Sequence, residues 1–305
     1  MEDRLKKFVA LVNSGGFSAA ARELHLSQPA LSVSVAKLER ELRAPLLVHG
    51  VRPLTLTPAG RLAYAAGKDL EVRTSNLGLQ LAELAGQPVE VSLGMIDSVA
   101  SALLASPADV DLLERHATVS LVVDNSRNLL RAVEEARLDM AWVVERPQLG
   151  EMLEVIERAV EPLIVVGDRA LVAATNQAVG GGRLPRFISY DQASTTRRLV
   201  AEALQRRSIT AEAAFYSTSP EVMLRLVRLG KGIAALPYAQ VRSLLTTGAV
   251  RAVGGEAPLL IKRPLVAVKR RDALLAAPLT QTIRRVTDLF DAAQSAVREP
   301  DKTPR

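Results

Sequence analysis

The segment Ser18–Leu42 decides the fold of the N-terminal region, and it reads SAAARELHLSQPALSVSVAKLEREL. Ser18 is placed to cap a short helix, because its hydroxyl can accept a hydrogen bond from a free backbone N–H group of the first turn. Ser27 is the predicted cap of a second helix. The first turn of that helix holds Gln28 and Pro29, where the missing N–H group of proline costs nothing. The segment therefore predicts two short helices joined by a tight turn.

The second helix separates a buried face from a polar face. Four apolar residues recur at helical spacing and predict one buried stripe: Leu31, Val35, Leu38 and Leu42. At ~3.6 residues per turn, Val33 lies roughly 200° from Leu31 and should point to solvent. Glutamine can bond adenine through two atoms, serine suits several bases, and an apolar side chain can contact the thymine methyl group. The pattern favours a helix-turn-helix that reads the major groove.

We predict a DNA-contact surface of eight residues: Ser18, Ser27, Gln28, Pro29, Ser32, Val33, Lys37 and Arg52. Arg52 lies at the tip of a predicted β-hairpin wing whose strands are 46–48 and 53–56. Such a wing commonly lies against the DNA backbone, so Arg52 is the expected phosphate or minor-groove contact. An ordinary solvated arginine is the alternative.

Several motifs occur together and in order: residues 8–21, Ser27–Ser32, Leu38-Glu39 and the sequence LTPAG at 56–60. In this order and spacing they resemble the N-terminal domain of LysR-type transcriptional regulators. The chain departs from that family's pattern at three positions, where Val33 and His49 replace frequent arginines and Leu47 replaces a frequent phenylalanine. The resemblance implies DNA binding, and these departures imply a different operator preference or a weaker affinity.

Composition limits the other possibilities. The chain has 305 residues, 48% of them apolar, which allows two or three domains with packed cores. The net charge of +6 permits contact with nucleic acid without demonstrating it. The absence of cysteine excludes disulfides and cysteine-ligated zinc and is compatible with the cytoplasm. The N-terminus does not resemble a signal peptide, and no apolar run approaches the ~18 residues of a spanning helix. We expect a soluble cytoplasmic protein.

A long helix follows the wing, with Thr57 as N-cap and Pro58 in its first turn. It is predicted to end near Ala85, before a hinge at 86–88, and to span roughly 42 Å. Six apolar residues lie near one stripe of this helix: Leu62, Ala66, Leu70, Leu77, Leu81 and Leu84. Such a stripe usually needs a partner, although packing on its own domain is the alternative. The family resemblance implies that this helix pairs antiparallel with the same helix of a second subunit in a homodimer. A homotetramer is implied by the family resemblance only.

Strands alternate with helices after the hinge. Strands are predicted at 89–94, 119–123 and 138–144. The region 99–115 between the first two strands is predicted to be mostly helical, and a second helix is predicted after 124–126 and ends at residue 136. This βαβαβ order predicts a parallel sheet with helices on both faces. A second lobe should start near Glu161. Its predicted elements are strands 163–166, 170–173, 187–190, 213–216 and 233–237, with helices 195–207 and 221–229. Residues 265–269 should return to the first lobe, and 279–296 should form the closing helix.

The predicted fold class is therefore a mostly-α winged helix-turn-helix, a long linker helix, and an α/β C-terminal domain of two lobes that resembles periplasmic binding proteins. The predicted boundaries are 1–57 for the DNA-binding domain, 58–87 for the linker and 88–298 for the effector-binding domain. The two lobes are 88–161 with 268–298, and 162–267. Residues 299–305 should be a disordered tail.

Small ligands bind beyond the carboxyl ends of parallel strands, where helix N-termini favour anions. The residues predicted at these strand ends are Asp97, Ser98, Asn125, Ser126, Arg127, Tyr190, Ser217, Thr218 and Pro237. Arg127 could pair with a carboxylate, so an anionic effector is one option. For each residue alone, a turn or N-cap role is the alternative. Trp142 fits the core of the sheet better than a ligand-stacking role.

An enzyme is the main competing class. The three histidines are scattered, at His25, His49 and His116, and there is no phosphate loop, dinucleotide fingerprint or cluster of metal ligands. We therefore predict no catalytic residue, no metal and no cofactor. The expected function is a transcriptional regulator that binds a double-stranded DNA operator and senses a small-molecule effector. A purely architectural DNA-binding protein is a further alternative, but it leaves the two-lobed region unexplained.

Overall fold

A computed structural model describes residues 1–48, 50–51, 53–114, 117–178, 182–255 and 257–298. The chain forms two units. The first contains Met1–Ala85 together with Asp272–Leu274, and the second contains the remaining described residues. No helix in the described ranges has both the length and the apolar character needed to cross a membrane.

The first unit is helical and contains the predicted helix-turn-helix. Its helices are α1 (Glu2–Asn13), α2 (Phe17–Glu23), α3 (Gln28–Leu42) and α4 (Pro58–Ala85). Leu31, Val35 and Leu38 of α3 are buried in one core with residues of α1 and α2, as their spacing predicts. Leu42 was predicted to extend this stripe, and that prediction is wrong because its side chain is exposed at the last turn of the helix.

The helix caps in this unit agree with the prediction in one case and differ in the other. Ser27 caps α3, since its hydroxyl accepts a hydrogen bond from the Ala30 N–H group at 3.3 Å. Ser18 does not cap α2, because that helix starts two residues earlier than predicted, at Phe17, and its N-cap is Gly16. The Ser18 hydroxyl instead donates to Oε1 of Gln28 at 3.0 Å and links α2 to α3 across the turn.

The segment between α3 and α4 forms less strand than predicted. Leu47 and Leu56 make a single antiparallel bridge, and the Val48 N–H group donates to the Thr55 carbonyl at 2.9 Å. The Glu39 carboxylate of α3 holds the entry to this segment, accepting from the Leu46 N–H group at 2.7 Å. The predicted wing positions His49 and Arg52 lie outside the described residues.

Helix α4 matches its predicted start and end. The Thr57 hydroxyl accepts from the Gly60 N–H group at 2.9 Å, and Gly86 leaves the helix with a φ of +62°. The helix packs on its own unit through Gly60, Ala63 and Gly67. Gly67 is required for this contact, because an added Cβ would lie 2.4 Å from Cγ2 of Val9. The predicted leucine stripe lies on a different face.

The second unit is built on one mixed sheet in the order β2-β1-β3-β9-β4-β7-β5-β6, with β8 beside β4. The strands are β1 (Val89–Met95), β2 (Ala117–Val123), β3 (Met140–Val144), β4 (Leu153–Gly167), β5 (Arg183–Tyr190), β6 (Thr210–Ser217), β7 (Ile233–Pro237), β8 (Arg251–Ala252) and β9 (Leu260–Arg270). Strand β1 is parallel to β2 and β3, which confirms the predicted βαβαβ order, and β5 is parallel to β6 and β7. The antiparallel pair β4–β9 joins these two parallel halves.

The helices that connect these strands are α5 (Asp97–Leu103), α6 (Pro107–Glu114), α7 (Ser126–Glu134), α8 (Arg169–Ala178), α9 (Thr195–Gln205), α10 (Pro220–Arg228), α11 (Tyr238–Thr246) and α12 (Ala277–Arg298). The single helical region predicted over 99–115 is therefore divided between α5 and α6. Helix α11 and strand β8 were not predicted. Trp142 is fully buried in β3, in agreement with a core role.

The region around Gly167 differs most from the prediction. The predicted strand 163–166 is the end of the single long strand β4, which has a bulge between Val155 and Glu157. The predicted strand 170–173 is wrong, because these residues belong to α8. Asp168 causes the change, since its carboxylate accepts from the N–H groups of Ala170 at 2.8 Å and Leu171 at 3.0 Å and thereby starts a helix.

Candidate functional site

A cavity of about 480 Å³ lies in the second unit, where β1, β2, β3 and β5 end. Its wall contains seven of the predicted effector-site residues: Asp97, Ser98, Asn125, Ser126, Arg127, Tyr190 and Thr218. The structure therefore brings strand ends from both parallel halves of the sheet to one cavity. Its size lies within the range of small-molecule sites.

Two predicted residues are not in the described wall of this cavity, Ser217 and Pro237. The Ser217 hydroxyl is used in a local turn, where it accepts from the Ser219 N–H group at 3.1 Å. Pro237 is buried in the sheet and pairs with Leu163 of β4. For both residues, local or sheet packing takes the place of the predicted contact with the cavity.

A buried ion pair, Glu161 and Arg263, lies at the cavity, and Arg263 is part of its wall. The two residues face each other directly in the β4–β9 ladder, and their exposed fractions are 1% and 3%. Nε of Arg263 donates to Oε2 of Glu161 at 2.8 Å, and Nη2 contacts the same oxygen. A buried pair of this kind requires further hydrogen bonds to offset its desolvation.

Those further hydrogen bonds come from the first turns of two helices. Nη2 of Arg263 donates to the Ser98 hydroxyl of α5 at 2.6 Å, and Nη1 donates to the Thr196 hydroxyl of α9 at 3.2 Å. The Ser98 hydroxyl in turn donates to Oε2 of Glu161 at 3.1 Å. One guanidinium group therefore connects both crossing strands to helices from both halves of the sheet.

Burial and neighbouring charges together set the protonation states of Tyr190 and Arg263. Burial raises the pKa of the Tyr190 hydroxyl to about 12; the positive charge of Arg263 opposes this rise, and the negative charges of Glu161 and Asp97 add to it. Burial is the largest single influence on the pKa of Arg263 and acts to lower it, but the charges of Glu161, Tyr190 and Asp97 and the hydrogen bond with Glu161 together outweigh burial, so the net pKa is raised. Near neutral pH, Tyr190 is therefore neutral and Arg263 is positively charged.

Four helices begin at the cavity wall; α5 follows Ile96, which makes no side-chain cap, and the N-termini of the other three differ in their capping. Asn125 caps α7 by accepting from the Asn128 N–H group at 3.1 Å, and Ser219 caps α10. Ser194 precedes α9 without making a side-chain cap. The cavity wall includes Ser194, Thr195 and Thr196. The first turn of α9 therefore presents backbone N–H groups without a side-chain cap, an arrangement that favours an anion.

Two of the other predicted wall residues, Asn125 and Ser126, hydrogen-bond to the backbone through their side chains, whereas the side chain of Arg127 does not do so among the described residues. The Ser126 hydroxyl accepts from the Val144 N–H group at 3.1 Å, so Ser126 and Asn125 both stabilise local structure. Arg127 is exposed, and within the described part of the chain it forms no hydrogen bond or ion pair. Arg146 was not predicted; it also lines the cavity and is likewise unpaired among the described residues.

The predicted DNA-contact residues in the described region are all exposed: Ser18, Ser27, Gln28, Pro29, Ser32, Val33 and Lys37. Val33 points to solvent as its spacing predicts, with an exposed fraction of 53%. The hydrogen bond from Ser18 orients the Gln28 amide with its oxygen toward α2. The amide nitrogen keeps both of its donors for another partner.

Comparison with known proteins covers both units. Residues 3–61 match the family model of the bacterial regulatory helix-turn-helix protein, lysR family, and residues 85–291 match the LysR substrate binding domain. The nitrogen assimilation regulatory protein nac of Escherichia coli (strain K12) is 30% identical over 79% of each chain. A probable RuBisCO transcriptional regulator of Emiliania huxleyi is 25% identical over 98% of each chain. A full-length OxyR variant from Pseudomonas aeruginosa superposes with a TM-score of 0.65 at 19% identity, covering 100% of this chain and 99% of that one.

We predict that Arg263→Met lowers the free energy of unfolding of the second unit by about 3–5 kcal/mol, because it leaves the Glu161 carboxylate buried without its counter-charge. The double variant Glu161→Leu/Arg263→Met should recover most of this loss. Urea unfolding followed by the fluorescence of Trp142, the single tryptophan of the chain, measures the effect in this unit.

The matched control is Arg225→Met, which removes an exposed pair with Glu221 on α10. It should change the free energy of unfolding by no more than about 1 kcal/mol. An Arg263→Met variant as stable as this control would contradict the assigned role of the buried pair.

Proposed function

The chain belongs to the LysR family of bacterial helix-turn-helix regulators, and we propose that α3 reads DNA bases while the cavity of the second unit binds a small effector that carries an anionic group. The observation that carries this proposal is the presence of both parts in one chain: an exposed reader helix and a polar cavity at strand ends. The coupling between the two sites is reciprocal. If the ligand changes the affinity of the protein for DNA, DNA changes the affinity of the protein for the ligand by the same factor.

The proposed base contacts are made by Gln28, Ser32 and Val33, which share the exposed side of the N-terminal half of α3. Ser18 orients Gln28 through its hydrogen bond, and Lys37 lies further along the same helix. Ser27 and Pro29 place the start of α3. The phosphate contact proposed for Arg52 rests on the sequence alone.

Gln28→Ala should weaken binding to a specific duplex by ~1–3 kcal/mol, because it removes a base contact, and leave binding to a scrambled duplex unchanged. Fluorescence anisotropy with both duplexes measures the two affinities. Gln205→Ala, an exposed glutamine of the second unit, is the matched control and should change neither affinity. Equal losses on both duplexes would show that Gln28 does not read sequence.

We propose a homodimer that forms through the leucine face of α4. Support comes from its exposure, since α4 packs on its own unit through another face. Leu62 and Leu84 have exposed fractions of 75% and 86%, and Leu77 and Leu81 are exposed between them. An apolar face along a helix of this length normally packs against a partner. A tetramer rests on the family resemblance alone.

The double variant Leu77→Glu/Leu81→Glu should raise the dimer dissociation constant at least ~100-fold, because two leucines lose their burial in each subunit. Sedimentation equilibrium measures the change. Leu229→Glu, an exposed leucine that follows α10, is the control and should leave the dimer intact. A double variant that keeps the mass of the parent protein at all concentrations would rule out this interface.

The anionic character of the effector is supported by two features of the cavity. The first turn of α9 has no side-chain cap, and Arg127 and Arg146 are unpaired among the described residues. Guanidinium groups and helix N-termini both bind carboxylate or phosphate groups well. Tyr190 and Thr218 would supply hydroxyl groups to the same ligand, whereas the Ser98 hydroxyl already donates to Glu161 and accepts from Arg263.

The remaining features of the proposal rest on family membership. Because the relatives are transcriptional regulators, we propose that the chain acts on DNA in the cytoplasm and catalyses no reaction. The boundaries 1–57, 58–87 and 88–298 stay predictions. The lobe boundaries, 88–161 with 268–298 and 162–267, fall within β4 and β9, which run continuously across them.

A further inference from the structure

Three buried oxygen atoms lie without hydrogen-bond partners in the described part of the chain at one end of the cavity: Tyr190 is in the wall, and Glu161 and Gln240 are hydrogen-bonded to the wall residues Ser98, Arg263 and Asp97. The hydroxyl of Tyr190 and Oε1 of Glu161 are buried and make no hydrogen bond to any described residue. Oε1 of Gln240 is also buried and unpaired, while its Nε2 donates to Oδ1 of Asp97 at 3.3 Å. Tyr190 lines the cavity and has an exposed fraction of 5%. Buried acceptors without donors are costly, so this end favours a group rich in N–H donors.

The charges at this end also favour a cation. Glu161 and Asp97 each carry a negative charge, and Arg263 carries one positive charge that pairs with Glu161. Within the described residues, Asp97 forms no ion pair. The group therefore has one negative charge in excess, and a positively charged ligand group would compensate it.

An anion site lies directly beside these acceptors. The Thr196 hydroxyl accepts from Nη1 of Arg263 at 3.2 Å, which places the uncapped first turn of α9 next to the same guanidinium group. Backbone N–H groups at a helix N-terminus favour a carboxylate. The cavity thus offers adjacent positions for one positive and one negative group.

We propose that the effector is an α-amino acid, whose ammonium group binds near Asp97 and Tyr190 and whose carboxylate binds at the first turn of α9. This inference rests on the proposed role of the cavity as the effector site. An ammonium group has three N–H donors and no acceptor, which matches the unpaired oxygens at this end. Arg127 and Arg146 belong to the wall of the same cavity.

The test is calorimetric titration of the full-length protein with each of the common L-amino acids. For the amino acid that binds most tightly, the deaminated acid and the decarboxylated amine of the same side chain are then titrated. The dissociation constant of each derivative should be at least ~100-fold higher than that of the amino acid, because each loses one charge-assisted contact.

Two variants test the ammonium position. Asp97→Asn and Tyr190→Phe should each reduce the discrimination between the amino acid and its deaminated acid by ~10-fold or more. Tyr190→Phe keeps the buried aromatic ring and removes only the hydroxyl, and Trp142 fluorescence checks that the variant is folded. Asp111→Asn, an exposed residue of α6, is the control and should keep the full discrimination.

Two results would overturn the inference. If the deaminated acids bind as tightly as the amino acids, the ammonium position is wrong and the proposed anionic effector stands. If no amino acid binds up to ~10 mM while the protein still binds its operator, the amino-acid class is wrong and the regulator function stands.

Discussion

The second unit depends on the antiparallel pairing of β4 and β9. These strands span Leu153–Gly167 and Leu260–Arg270, and each also pairs with a strand of one parallel half, β9 with β3 and β4 with β7. Glu161 and Arg263 face each other within this ladder. Replacing such a buried pair by apolar residues is often neutral or stabilising, so stability alone does not explain its presence. Its position at the cavity offers another reason, since Arg263 lines the cavity and holds the first turns of α5 and α9 there.

The same ladder organises the cavity. Arg263 holds the first turns of α5 and α9 through Ser98 and Thr196, so helices from both halves of the sheet meet at one side chain. A ligand bound at these first turns would contact residues that Arg263 already connects. A ligand that contacts these first turns differently in two arrangements of the halves favours one arrangement over the other. Such a difference in contacts is what allosteric coupling requires.

Features with local causes were predictable from the sequence. Helical spacing and caps gave α3 and α4, because Ser27 and Thr57 act on backbone groups three residues away. The segment 170–173 was mispredicted as a strand because a short apolar run has no periodicity that separates strand from helix. Only the contacts of the Asp168 carboxylate show that a helix starts there. Arg263 was missed for a different reason: it lies inside a strand, and its partner Glu161 is 102 residues away.

Recognition of a DNA sequence through α3 is the property on which the proposed function of this chain depends. The most direct measurement is a fluorescence anisotropy titration of the full-length protein at several salt concentrations. The duplexes are the region directly upstream of its own gene, where regulators of this family often bind, and a scrambled duplex of equal length. Sequence recognition by α3 predicts a preference of ~10³-fold or more for the upstream duplex and a steep decrease of affinity with salt. Failure to bind either duplex at low salt would contradict it.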